Sequence, residues 1–321
     1  MKHVKRVSLV LMVVGIIIVS LMFGPKIQYE KDNPFRSQDG FPLVMAHGGG
    51  QAYYPDNTMR AFENAFQIGV DVLEMDVMIT SDDIVIVSHG QNDTGNLITF
   101  STCDVLPWHE TYETLRNNCN MGYNYQVDGA YPYRDLSLDD IITEKVYLPT
   151  LNEVFEAFGE DILYNIELKI YGDIPSRKLA DEVYDLMVEY DVVDKVLLAT
   201  AHDETSEYII EAYPDVYIST SLGSARTWIV GMYTLTSLFL GTPPFAGIQV
   251  PTSYGFPVIE TLQLDTRHLM RTARQHNMAM HYWTINDEST MRMLIERGAD
   301  GIITDDPLLL MTIIEELKSD S

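Results

Sequence analysis

Short apolar runs alternate with longer stretches of helical period along most of the chain. The runs span residues 42–46, 72–77, 84–88, 162–168, 195–201, 216–220, 247–250, 278–284 and 301–304, and read as strands. Amphipathic stretches follow most of them, at 58–69, 151–158, 176–190, 204–213, 265–276, 288–298 and 307–318. Strand-then-helix repetition predicts an α/β fold. About eight such units predict a closed (β/α)8 barrel rather than an open sheet.

Nine strands are one too many for eight. Only "ITSDD" separates the second from the third, with no room for a crossover helix, so this pair is expected to be an antiparallel hairpin. A turn centred between Ser81 and Asp82 sets Glu74 opposite His89, about 5 Å away. Period-two alternation puts Glu74 and Asp76 on one face.

Two stretches break the rhythm. Residues 90–148 are rich in Asn, Tyr and Thr and too long for an ordinary connection, so they read as an insertion over the barrel mouth. Cys103 and Cys119 lie inside it and either staple it as a disulfide or remain free thiols. Residues 227–247 form an apolar stretch ending at Pro243 and Pro244, read as a buried helix or an apolar wall for a substrate, with a second membrane span as the alternative.

At the N-terminus, Lys2, Lys5 and Arg6 precede an apolar run from Val7 to Phe23. Basic residues before the run and none within it predict a membrane anchor over residues 1–24, with the body outside the cytoplasm. The alternative is a cleaved signal peptide and a secreted body, although no small-residue cleavage site is evident. A polar linker over 25–40 then leads to the body at 41–321. The formal net charge of −26 argues against a nucleic-acid partner, and suits a solvated surface or a site that collects divalent cations.

The candidate chemistry sits at strand ends. "VLEMDV" carries Glu74 and Asp76, and "YNIELKI" carries Glu167 and Lys169. Charges inside strands are costly unless paired or bound to metal. Three carboxylates on two barrel strands fit one divalent ion, Ca2+ or Mg2+, against the alternative of internal salt bridges through Lys169. His47 ends the first strand and His89 the third. Two histidines at one rim suit a general acid and a general base on opposite sides of a bond being broken, as in phosphoryl chemistry. The glycines after His47 let backbone approach an anion. Trp283 in "HYWTIND" reads either as a substrate-stacking residue or as a core aromatic. Asp305 and Asp306 in "DGIITDDP" read as helix-capping residues with no catalytic role.

Taken together, the segments "AHGGG", "PDNTMRAFENAFQIGVDVLEMDV", "DIVIVSH", "LPTLNEVFEAF", "YNIELK", "YWTINDE" and "GADGIITDDP" resemble the glycerophosphodiester phosphodiesterase family, in its order and from about residue 42 to 311. The resemblance implies a distorted (β/α)8 TIM barrel with a small inserted segment. It also implies hydrolysis of a glycerophosphodiester or lysophospholipid to an alcohol and a glycerol phosphate or lysophosphatidate. Carried over by position, His47 and His89 correspond to the catalytic pair. Glu74, Asp76 and Glu167 correspond to the metal ligands, Lys169 to a phosphate contact and Trp283 to a substrate-pocket residue. The stretches at 147–158 and 235–251 look more like the membrane-associated lysophospholipase D branch. Two positions depart from the family pattern: Gly48 stands for its usual arginine and Gly90 for its usual aspartate. Losing the arginine is worth ~1.5–3 kcal/mol of phosphate binding. Two further readings stand beside this one. They are a phosphatidylinositol- or sphingomyelin-type phospholipase on the same barrel, and a catalytically silent lipid- or anion-binding barrel.

Overall fold

The computed structural model describes Met12 and residues 26–234, 236–255 and 261–319. Eleven strands alternate with helices. They are β1 (Leu43–Ala46), β2 (Val72–Ile79), β3 (Val85–Val87), β4 (Leu163–Leu168), β5 (Val196–Ala199), β6 (Tyr217–Ile218), β7 (Gly247–Val250), β8 (Ser253–Tyr254), β9 (Leu262–Gln263), β10 (Ala279–Tyr282) and β11 (Gly301–Thr304). Eight of them run in the order β6-β5-β4-β2-β1-β11-β10-β7, with every neighbouring pair parallel. A bridge between Ser219 and Gly247, with Ala246 N–H donating to Ile218 O at 2.8 Å, nearly closes the ring. This is the expected (β/α)8 barrel. All nine expected strands form. The small β8–β9 hairpin is additional.

Local chemistry explains the helix boundaries. Thr58 caps Met59–Ile68 by accepting Ala61 N–H, and Gly69 ends that helix at φ 84. Thr150 and Glu153 form a reciprocal capping box for Leu151–Phe158.

β2 and β3 form the antiparallel pair, but one residue out of the expected register. Val77 pairs with Val87 and Ile79 with Val85. The loop is three residues, Ser81 to Asp83, with Asp83 in the left-handed region at φ 62. Continuing that register sets Met75, not Glu74, across from His89. Moreover β3 ends at Val87, so His89 has already left the sheet.

Residues 26–41 do more than link. Phe35 is fully buried, and its carbonyl accepts from His281 Nε2 at 2.8 Å. Asn33 Nδ2 donates to Ala246 O at 2.6 Å, and Tyr29 N–H to His276 O at 2.8 Å. Ala246 and His276 precede β7 and β10, and the cluster around Phe35 includes Leu197, Ala246 and Ala279 near the strand starts, so the segment plugs the N-terminal face of the barrel. Phe35→Ala is expected to cost ~3–5 kcal/mol in urea unfolding, with kcat little changed because the plug is at the end away from the rim.

The apolar run at 7–23 lies outside the described residues, Met12 apart. Among the described residues no helix is long and apolar enough to cross a membrane. The membrane-anchored location expected from that run therefore has no support among the described residues. The same finding disposes of a span at 227–247, where the helix Leu222–Thr234 has 13 residues and is too short for a hydrocarbon core of about 30 Å. Nor does that stretch wall the active rim. From Thr234 it turns through Thr236–Phe239 beneath the barrel, where Ser237 Oγ lies 3.3 Å from His276 Nε2. The reason is geometric: a helix that starts at the top of β6 runs downward, and the next strand must begin at the bottom.

Candidate active site

The rim at the C-terminal ends of the strands gathers the polar residues. Ala46 on β1 pairs with Thr304 on β11, so the next residue on each strand, His47 and Asp305, stand side by side. His47 Nδ1–H donates to Asp305 Oδ1 at 2.6 Å. The Gln51 amide nitrogen lies 3.0 Å from the same ring nitrogen. With Nδ1 engaged, Nε2 is the nitrogen left for chemistry. Asp305 is a residue that sequence reading assigned to capping alone. Asp306 is the one that accepts Leu309 N–H, at 3.0 Å. A signal was present: closing a barrel pairs its first and last strands, which brings their following residues together.

On β2 and β4, Asp76 pairs in register with Glu167. Alternation sends Glu74, Asp76, Glu167 and Lys169 to one side of the sheet. Lys169 Nζ lies 3.1 Å from Asp76 Oδ1 and 3.0 Å from Glu167 Oε2, bridging the two carboxylates. Asn57 grips Asp76 twice, donating from Nδ2 to Asp76 Oδ2 at 3.3 Å and accepting Asp76 N–H at 3.2 Å. Glu74 is 4% exposed and accepts Gly48 N–H at 2.9 Å.

His89 reaches the rim from the start of the inserted segment. Its Nδ1–H donates to Gly90 O at 2.6 Å, and its carbonyl accepts Tyr171 O–H at 3.3 Å. The Phe100 ring lies 5.9 Å from the imidazole, centroid to centroid. The segment that carries Phe100 is stapled by a Cys103–Cys119 disulfide, with Cα atoms 5.4 Å apart. Trp108 ties the same segment to the loop after β4, its Nε1–H donating to Asp173 at 2.6 Å.

Burial pushes Glu74 up, and Asp76 and Glu167 push the same way. His47 and the Gly48 amide offset this only in part, leaving the carboxyl at about 8. Burial disfavours a charge on His47, but Glu74, the Asp305 hydrogen bond and Asp76 outweigh it and raise the imidazole to about 10. Burial alone would raise Asp76. Lys169, then His89 and His47, hold it below the usual carboxylate range instead. Both imidazoles thus favour the charged form of the Asp76 carboxylate. Lys169 is disfavoured by burial, yet Asp76 and Glu167 keep its ammonium above the ordinary lysine value.

Residues 47–309 match the glycerophosphoryl diester phosphodiesterase family. The chain belongs to that family. It is a phosphoric diester hydrolase, of the class that acts on glycerophosphodiesters. A glycerophosphodiester phosphodiesterase from Caldanaerobacter subterraneus is 24% identical over 281 residues, covering 85% of this chain and 98% of the relative. A lysophospholipase D from Rattus norvegicus is 26% identical over 303 residues, covering 86% and 87%. Among solved structures, the glycerophosphoryl diester phosphodiesterase domain of a Mycobacterium tuberculosis protein superposes with a TM-score of 0.70 at 17% identity, covering 86% of this chain and 99% of that one.

Both departures from the phosphodiesterase pattern have a backbone cause. Gly48 has φ +53, and a Cβ there would meet Asp56 Cβ at 2.8 Å. Gly90 has φ +66, and a Cβ would meet the Gly95 carbonyl oxygen at 2.7 Å. Arginine and aspartate do not fit these turns as they stand, and Lys169, only partly exposed, is the cation paired with the carboxylates. Trp283 follows β10 at the rim and is 46% exposed, so it is no core aromatic.

As the side chains are placed, no three His, Cys, Asp or Glu among the described residues are grouped to hold a metal ion. The ammonium of Lys169 lies between Asp76 and Glu167 instead. The donor chemistry nevertheless fits a hard divalent cation. Glu74 and Asp76 are buried carboxylates, and Glu74 has no ion pair among the described residues.

Proposed function

We propose that this enzyme hydrolyses a glycerophosphodiester or a lysophospholipid, yielding an alcohol and either a glycerol phosphate or a lysophosphatidate. His47 and His89 act as acid and base. Each has Nδ1 tied to an oxygen, Asp305 for one and Gly90 O for the other, which leaves both Nε2 atoms for proton transfer. One imidazole takes the proton of the attacking oxygen as the new P–O bond forms. The other gives a proton to the alcohol oxygen as the old P–O bond breaks. Lys169 contacts the phosphate oxygens, and Trp283 lines the substrate pocket. Glu74, Asp76 and Glu167 would hold a divalent cation, Ca2+ or Mg2+, which neutralises charge on the phosphate when bound. Carrying the reading is the His47–Asp305 pair set at the same rim as buried carboxylates and the lysine that pairs with one of them.

Product analysis tests it. The full chain, supplied with Ca2+ or Mg2+, is given glycerophosphocholine and lysophosphatidylcholine in separate reactions. Glycerol phosphate from the first or lysophosphatidate from the second is the expected product. Release of a fatty acid, or no turnover of either compound with either cation, would overturn the assignment.

A further inference from the structure

The motif "YWTIND" contributes more than its tryptophan. Asn286 lies at the rim between β10 and the helix Glu288–Arg297, and its backbone is well anchored. The preceding residue, Ile285, is buried, and its N–H donates to Ile303 O on β11 at 3.0 Å. The Asn286 side chain then grips the turn after β11. Its Oδ1 accepts Asp305 N–H at 2.9 Å and Thr304 Oγ1–H at 3.1 Å. Because the Asp305 N–H can only donate, the amide oxygen must face it and Nδ2 must face the carboxylate. Nδ2 donates to Asp305 Oδ2 at 2.6 Å. The other carboxylate oxygen, Oδ1, is the one that accepts from His47.

We infer that Asn286 is a positioning residue for His47, acting through Asp305. A carboxylate torsion is soft, with a broad and roughly two-fold profile. Asp305 reaches the imidazole with one oxygen, and left alone it would sample orientations that release the ring. Asn286 holds the second oxygen and the same residue's N–H, so the carboxylate plane is set before it meets His47. The ring plane of His47, and the direction of Nε2, follow from that. A third tie, Ala52 N–H donating to Asp305 O at 3.0 Å, fastens the glycine loop after His47 to the same turn. The inference rests on the proposed acid–base role of His47.

Misalignment of a reacting group without loss of binding lowers kcat and spares KM. Asn286→Ala in the full chain is therefore expected to lower kcat roughly 10- to 100-fold, with KM for glycerophosphocholine within about twofold. Asn286 is exposed, so its melting temperature is expected to stay at the wild-type value. Asn286→Asp keeps the shape and the Oδ1 contacts but turns a second carboxylate toward Asp305, and is expected to lose at least as much. The double variant with Asp305→Asn is expected to be no slower than Asp305→Asn alone, since both act through one imidazole. If the two losses multiply, or if KM rises instead, Asn286 acts on the substrate directly and the inference falls. If Asn286→Ala is fully active while His47→Ala is dead, the inference alone fails. If His47→Ala is also fully active, the acid–base reading fails first.

Discussion

His47→Ala lowers kcat by roughly 10²- to 10⁴-fold, the usual contribution of a positioned general acid or base. The fold survives the change. His47 begins a short turn at the rim with its side chain 24% exposed, and its side-chain hydrogen bond is to Asp305, with the Gln51 amide nitrogen 3.0 Å from the same ring nitrogen. The variant removes the positive partner that lies among Glu74, Asp76 and Asp305, so those carboxylates are left to repel one another. A modest fall in melting temperature is expected from this, measurable by circular dichroism. Steady-state kinetics on whichever substrate is turned over gives the decisive number. A kcat within tenfold of wild type would end the acid–base role of this residue.

Excess chelator is the second large effect. Stripping divalent ions is expected to lower activity at least about 100-fold, with recovery on adding Ca2+ or Mg2+. The cause is uncompensated negative charge. Glu74 and Asp76 are buried together near Glu167, with a single lysine for the latter two. Glu74 responds by holding its proton up to about 8. A cation must displace that proton, so its affinity strengthens as pH rises toward that value. Because the proposed cation would bind only the folded site, saturating it is also expected to raise the melting temperature, by the equivalent of ~2.7 kcal/mol at a hundred times Kd. Full activity in excess chelator would remove the metal from the mechanism. Unchanged melting behaviour with added cation would remove the three carboxylates as its ligands.

Gly48 and Gly90 bear on whether the barrel is silent. A missing arginine and a missing aspartate invite that reading. The structure gives a different reason for both, since each glycine has positive φ and a Cβ at either would collide with its surroundings. The turns are built for glycine, and the histidines, carboxylates and lysine around them are still gathered at the rim.

Some of this molecule was readable from one dimension. Period-two and period-3.6 patterns located all nine expected strands and the helices between them, because burial of one face imposes those periods wherever the element sits. The short "ITSDD" link forced a hairpin, because five residues cannot return a chain to parallel. Charged residues inside apolar strands marked Glu74, Asp76, Glu167 and Lys169, because a buried charge needs a reason. What the sequence could not settle was anything decided by closure or by direction. The hairpin register turned on one residue, Asp83, adopting a left-handed conformation, which no period reveals. The expected linker at 25–40 looked polar, and its described part proved to be a plug, because Phe35 and Asn33 meet partners more than 200 positions away. The apolar stretch at 227–247 was legible as apolar, but not that Thr236–Phe239 within it lies beneath the barrel, since only the alternation of strand and helix direction sends it there. Asp305 could be placed against His47 only once the first and last strands were paired, and Asn286 only once Asp305 was in place. Composition and period are local properties and survive in a list of residues. The neighbours of a rim side chain such as His47 are set by the closing of a ring, and that belongs to the folded chain alone.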